Sequence, residues 1–251
     1  MEQKYIESVK FHGEVSGYLS DIPAVEWLTE NGELELRSAV TFFVGENGTG
    51  KSTLLEAIAV AAGFNAEGGS RNFSFSTRET HSALHDNLTI SRGLIRPHDG
   101  FFLRAESLYN AASYIDELDE IPCGAPSISE SYGGSLHTRS HGESFIATVR
   151  DRFRGNGLYL LDEPEAALSP VRQLTLLGLI KDLVANNSQF IIATHSPILM
   201  AYPNAEILRF SEDGISPVGY KQTEHYQITK QFLDNPERML GIIFEENSGN
   251  G

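Results

Sequence analysis

The chain has 251 residues, 40% of them hydrophobic, and a formal net charge of −15 at pH 7. This composition excludes a disordered or fibrous polymer and is enough for one substantial core, so a single domain over 1–251 is expected. Apolar runs such as residues 158–161 and 190–193 fall far short of the roughly 20 residues that a membrane helix needs, which argues against membrane insertion. The charged start Met1-Glu2-Gln3-Lys4-Tyr5 lacks the apolar stretch of a secretory signal, so a cytoplasmic location is expected.

The acidic balance repels a phosphate backbone unless the cations gather on one face, so charge does not indicate a nucleic-acid partner, although a segregated basic face is compatible with one. The single cysteine, Cys123, forms no internal disulfide and has no Cys or His at metal-ligand spacing; it reads as incidental.

In chain order, residues 5–11 alternate (Tyr5, Ser8, Val9, Phe11) and Asn31-Gly32 precedes Glu33-Leu34-Glu35-Leu36, so the first forty residues read as antiparallel strands joined by turns. Residues 40–44 make a continuous apolar strand of the kind found in a buried parallel sheet. A glycine-rich loop follows, then a helix over 52–62 that stops at Gly63. Across 64–138 the pattern is weak: Gly68-Gly69, Pro97 and Pro122 to Pro126 punctuate short pieces, with one strand at 101–103. A helical subdomain over about 64–155 is expected there.

Phe145, Val149 and Phe153 recur every four residues, which predicts an amphipathic helix over 143–153 ending near Gly155. Residues 158–161 form a second buried strand and 189–193 a third. Between them Ser169-Pro170 caps a helix striped by Val171, Leu174, Leu177, Ile180 and Val184. No repeat, heptad array or low-complexity tract occurs, and 247–251 reads as a loose tail. Alternation of strands and helices implies an α/β fold, a mostly parallel sheet flanked by helices, with an N-terminal antiparallel part.

Gly45-Glu46-Asn47-Gly48-Thr49-Gly50-Lys51-Ser52 satisfies G-x-x-x-x-G-K-[ST] between a strand and a helix, the context that a phosphate-binding loop requires. Glycines let successive backbone N–H groups curl around phosphates, and the helix start adds its positive end. Lys51 would reach the β- and γ-phosphates, Ser52 would ligate Mg²⁺, and Thr53 closes the ATP-binding segment.

Asp162 and Glu163 follow the strand 158–161 directly, where ligands of open α/β sheets bind. Asp162 is the candidate Mg²⁺ ligand and Glu163 the candidate general base. Ile191-Ile-Ala-Thr194-His195-Ser196-Pro197 ends another strand, which makes His195 a candidate γ-phosphate contact.

These segments resemble the Walker A, Walker B and switch-histidine motifs of ABC-type P-loop ATPases, in Lys51 with its loop, Leu160-Leu161-Asp162-Glu163-Pro164, and Ala193-Thr194-His195. The family's signature loop, Leu-Ser-Gly-Gly-Gln or a relative, falls on Arg139-Ser140-His141-Gly142-Glu143, with Ser140 lying 22 residues before Asp162. Ser140 and Gly142 match, His141 replaces the first glycine, and Glu143 replaces the final Gln. The loop after Walker B reads Ala166-Ala167-Leu168-Ser169 where the family commonly ends in aspartate. Glu106 stands at the likeliest position of the glutamine loop, and Tyr18 at that of the adenine-stacking aromatic.

The chain as a whole looks like the small stand-alone prokaryotic ATPases known as the AAA family ATPase group. The resemblance implies Mg²⁺ and ATP as cofactors and a head-to-tail homodimer in the ATP state, with Ser140, His141, Gly142 and Glu143 completing the partner's site. It also implies a protein partner that it does not identify. Only 89 residues separate Lys51 from Ser140, which leaves no room for the long coiled coil of chromosome-clamp relatives. Two other readings are the nucleotide-binding subunit of an ABC transporter and an ATP-dependent switch in DNA repair or phage defence.

Overall fold

Side chains along a strand alternate between its two faces, and a strand buried on both faces feeds two cores. In the computed structural model, which describes residues 3–70, 83–106 and 140–248, four strands do this. These are β3 (Val40–Gly45), β5 (Asp99–Arg104), β6 (Gly157–Asp162) and β7 (Gln189–Ala193). Phe43, Phe102, Leu158, Leu160, Ile191 and Ala193 pack into one core. Their neighbours Phe42, Val44, Phe101, Leu103, Tyr159, Leu161, Phe190 and Ile192 pack into the other. Each Val, Leu, Ile or Phe side chain among them contributes about 1.5–3 kcal/mol by leaving water.

With β8 (Glu206–Ser211) and β9 (Gly214–Pro217), these strands form a sheet in the order β5-β6-β7-β3-β8-β9. Every pairing is parallel except β8 with β9. A second, antiparallel sheet has β1 (Ile6–Phe11) between β2 (Glu33–Glu35) and β4 (Leu88–Arg92). Gln189 joins the sheets: its Oε1 accepts from the backbone N–H groups of Tyr5 (2.7 Å) and Ile6 (2.8 Å), and its Nε2 donates to Ile6 O at 2.9 Å. The α/β architecture with an N-terminal antiparallel part is the expected one.

Three local expectations are corrected. The first forty residues are not all strand, because α1 (Pro23–Asn31) lies between β1 and β2. Pro23 begins it, Ala24, Val25 and Leu28 form its buried face, and Gly32, at φ +74°, ends it by donating to Leu28 O at 2.8 Å. Asn31-Gly32 is therefore a helix end rather than a hairpin turn.

The second correction concerns the later helix, α4 (Pro170–Ala185), which follows α2 (Lys51–Ala61) and α3 (His141–Ala147). Of the expected stripe, Ile180 is buried and Leu177 and Val184 pack against the core, but Val171 and Leu174 are 73% and 60% exposed, and Gln173 and Leu176 take inward positions instead. A glutamine occupies an inward position because both ends of its amide are satisfied. It donates to Leu168 O at 3.0 Å and accepts from Ser196 Oγ at 2.5 Å.

Third, the stretch 64–155, expected to be helical apart from a strand at 101–103, contains that strand as β5 and also a second strand, β4, one in each sheet. Strand β4 escapes notice because it is short and lies at a sheet edge, with Leu88 its one buried residue. Helix α3 continues into a π turn at Thr148–Arg152, and Phe145, Val149 and Phe153 are buried as their spacing predicts. Cys123 lies outside the described residues. The chain closes with α5 (Glu224–Asp234) and α6 (Pro236–Ser248), so helix extends into the expected tail. Among the described residues no helix is long and apolar enough to cross a membrane.

Candidate active site

Adjacent parallel strands end at one edge of the sheet, so their C-terminal loops converge. Here β6, β7 and β3 are successive neighbours, with Asp162 opposite Ala193 and Ala193 opposite Phe43. The loop leaving β3 turns at Gly45, whose φ is +141° and whose missing Cβ would sit 2.1 Å from Phe210 O of β8. No other residue fits that approach. The chain then enters α2 through Gly50, also at positive φ. Lys51 is 5% exposed, and its Nζ donates to Gly45 O at 2.8 Å and Glu46 O at 2.6 Å, so the loop folds back around the ammonium group. Burial pushes its pKa down, offset in part by Glu163, Asp162, Glu165 and Glu46.

Ser52 Oγ donates to Asp162 Oδ1 at 2.8 Å, so the two residues expected to hold a metal are already in contact. Burial raises the Asp162 carboxyl to about 6, against the pull of Arg104 and the Ser52 hydroxyl. Arg104, from the end of β5, places Nε 3.4 Å from Asp162 Oδ2 and also pairs with Glu56 at 2.8 Å and Glu106 at 2.9 Å. Glu106 thus pairs with Arg104 and its charge helps raise the Asp162 carboxyl, while its own side chain is 77% exposed.

Glu163 adopts a left-handed conformation, φ 47° and ψ 52°, that turns its half-exposed side chain toward His195; its Oε1 lies 3.7 Å from His195 Nε2. Burial, with help from Lys51 and His225, lowers the His195 imidazole to about 4, which keeps it neutral at physiological pH.

The sequence motifs do not point to Glu165 or His225. Glu165 Oε2 accepts from Thr194 Oγ1 at 2.7 Å and Oε1 from the His195 backbone N–H, which locks the loop after β6 to the loop after β7. Its place two residues past Glu163, across Pro164, is the only local signal of that role. His225, in the first turn of α5, brings Nε2 within 3.0 Å of His195 Nδ1, and nothing in the sequence marks a residue 30 positions from its partner. A cavity of about 640 Å³ opens between the phosphate loop, the β8–β9 turn and this helix start; Glu46, Asn47, Gly48, Arg209, Thr223 and His225 are among its walls. Tyr18 is 65% exposed and is not one of them.

Ser140 caps α3 in a reciprocal box. Glu143 Oε2 accepts from the Ser140 backbone N–H at 3.0 Å, and the Glu143 N–H donates to Ser140 Oγ at 3.4 Å. Arg172 of α4 donates to Ser140 Oγ at 3.2 Å and Glu143 Oε1 at 3.0 Å. Gly142 has no room for a Cβ, which would lie 2.7 Å from Ala167 O, so Ser140–Glu143 packs directly on the loop that follows Glu163.

The family model described as "AAA domain" matches residues 25–98, and that described as "AAA domain, putative AbiEii toxin, Type IV TA system" matches residues 138–201. Among solved structures the chain is similar to cbiO1 from Clostridium perfringens, part of the ABC transporter complex cbiONQ. That match has 17% identity, covers 97% of this chain and 100% of that one, and has a TM-score of 0.48. It is also similar to the SMC head domain from Thermotoga maritima, at 16% identity over 86% of this chain and 99% of that one, with a TM-score of 0.44. No curated protein matches.

Proposed function

We infer that this chain, a P-loop ATPase of the ABC/AAA type, binds Mg-ATP through residues 45–53 and hydrolyses it with Glu163 as general base. The observation that carries the reading is the 2.8 Å contact of Ser52 with Asp162, directly beside the buried Lys51. A hydroxyl and a carboxylate are hard oxygen donors of the kind that bind Mg²⁺ while leaving it most of its waters, so the residues present fit the ion. Bound there, Mg²⁺ supplies charge neutralisation to the phosphates.

The chain's own groups do the rest. Lys51 exchanges its two loop carbonyls for phosphate oxygens, and the backbone N–H groups of the loop and of the α2 start orient them. The partly exposed Glu163 is reachable by water and takes its proton, while His195 Nε2 contacts the terminal phosphate.

The reading extends to a homodimer in the ATP state, in which Ser140, His141, Gly142 and Glu143 of one copy contact the nucleotide of the other. The capping box and Arg172 support it by holding this loop in one shape before any partner arrives. A steady-state ATPase assay tests the whole proposal. Phosphate release should require Mg²⁺ and vanish in Asp162→Asn; full activity in excess EDTA would refute it.

A further inference from the structure

We propose that His225 is a positioning residue: its Nε2–H donates to His195 Nδ1 and so holds the His195 proton on Nε2, facing Glu163 and the nucleotide. This rests on the ATPase reading for its consequence but not for its geometry. The two ring nitrogens are 3.0 Å apart, a hydrogen-bond distance, with the rings edge-on at 60°. Two neutral imidazoles at that distance must divide the roles, one donating and one accepting.

The other nitrogen of His195 decides which. Nε2 is buried, has no hydrogen-bond partner among the described residues, and lies 3.7 Å from Glu163 Oε1. A lone pair directed at a carboxylate is repelled, whereas an N–H is attracted, so Nε2 carries the proton. His195 Nδ1 is then the acceptor, and His225 Nε2 must be the donor.

The placement of His225 is built into the fold. Thr223 is 1% exposed; its hydroxyl donates to Tyr220 O at 2.7 Å and accepts from the Tyr226 N–H at 3.4 Å, which caps α5 and orients its first turn. Tyr220 Oη donates to Pro197 O at 3.0 Å, so the segment bearing His225 is tied a second time to the loop that bears His195. Glu165 accepts from the His195 backbone N–H. The backbone is thus held by Glu165 and the ring by His225, which makes the start of the C-terminal helix part of the site.

The test reads the tautomer directly. Long-range ¹H–¹⁵N NMR of nucleotide-free protein at pH 7.5 should show His195 as the Nε2–H form. His225→Ala should shift it toward Nδ1–H, and His225→Gln, whose amide can still donate, should restore it. In the same variants, kcat for ATP should fall about 10- to 100-fold in the alanine variant, the scale for partners that orient a functional imidazole, with KM changed less than about twofold. The glutamine variant should recover most of kcat.

A wild-type His195 in the Nδ1–H form, an alanine variant with an unchanged tautomer, or a loss that falls on KM and not kcat would overturn the proposal. A wild-type protein that hydrolyses no ATP would instead overturn the ATPase reading, with the NMR result still deciding the role of His225.

Discussion

Ser52 Oγ donates to Asp162 Oδ1 across 2.8 Å, joining the first turn of α2 to the end of β6 over 110 residues of chain. Arg104 reaches the other Asp162 oxygen at 3.4 Å from the neighbouring strand, so one buried carboxylate ties together three elements of the sheet edge. Burial raises that carboxyl to about 6.

Asp162 therefore opposes stability when ionised. Its folded pKa lies above the unfolded value of about 3.9, so the folded state binds more protons between about pH 4 and 6. Its contribution is favourable below that window and is lost as pH rises through it. Asp162→Asn keeps an acceptor for Ser52 and removes the buried charge. Urea titrations without nucleotide or Mg²⁺ should find the variant more stable than wild type by roughly 1–3 kcal/mol at pH 8, with little difference at pH 4. The same variant should lose Mg-dependent hydrolysis.

Lys51→Ala should weaken ATP binding about 10- to 100-fold, the scale of one or two charge-assisted hydrogen bonds to phosphate. Calorimetry that finds unchanged affinity would contradict the phosphate-loop assignment.

Gly45→Ala should destabilise the fold itself by about 2 kcal/mol or more, because the added Cβ meets the β8 backbone and the residue sits at φ +141°. The midpoint of urea unfolding checks this without nucleotide. An unchanged midpoint would mean that Gly45 of β3 is not packed against β8 as described.

Glu163→Gln keeps the shape of the side chain and removes the base, so hydrolysis should fall about 10²- to 10⁴-fold while ATP still binds. Trapped ATP should then hold two copies together, giving a dimer with Mg-ATP and a monomer with ADP by light scattering. The net charge of −15 makes this dimer stronger as salt screens it toward physiological ionic strength. Ser140→Arg in the same background should abolish it. A monomer under saturating Mg-ATP, or a dimer indifferent to Ser140, would refute the composite site.

The sheet core and the three site loops were legible in the sequence because each is a local pattern. Predominantly apolar strands at 40–44, 158–161 and 189–193 are suited to burial on both faces, and the residues that follow them then lie at the sheet edge. That reasoning puts Gly45, Lys51, Ser52, Asp162, Glu163 and His195 at the sheet edge, where the structure has them. The capping of α3 by Ser140 and Glu143 rests on a local Ser-x-x-Glu spacing, which the helix expected over 143–153 left out.

What only the tertiary structure decided depends on partners far apart in the chain. Gln173 takes an inward place on α4 because Leu168 O and Ser196 Oγ satisfy its amide, whereas an apolar pattern assigns that face to Val171 and Leu174. Strand β4 exists because β1 offers it an edge, and Arg104 and Glu165 matter because parallel pairing sets them beside Asp162 and His195. His225 carries no signal of its own. Its chemistry comes from a helix start that the Tyr220 and Thr223 contacts bring against His195, a 3.0 Å meeting that no spacing along the chain encodes.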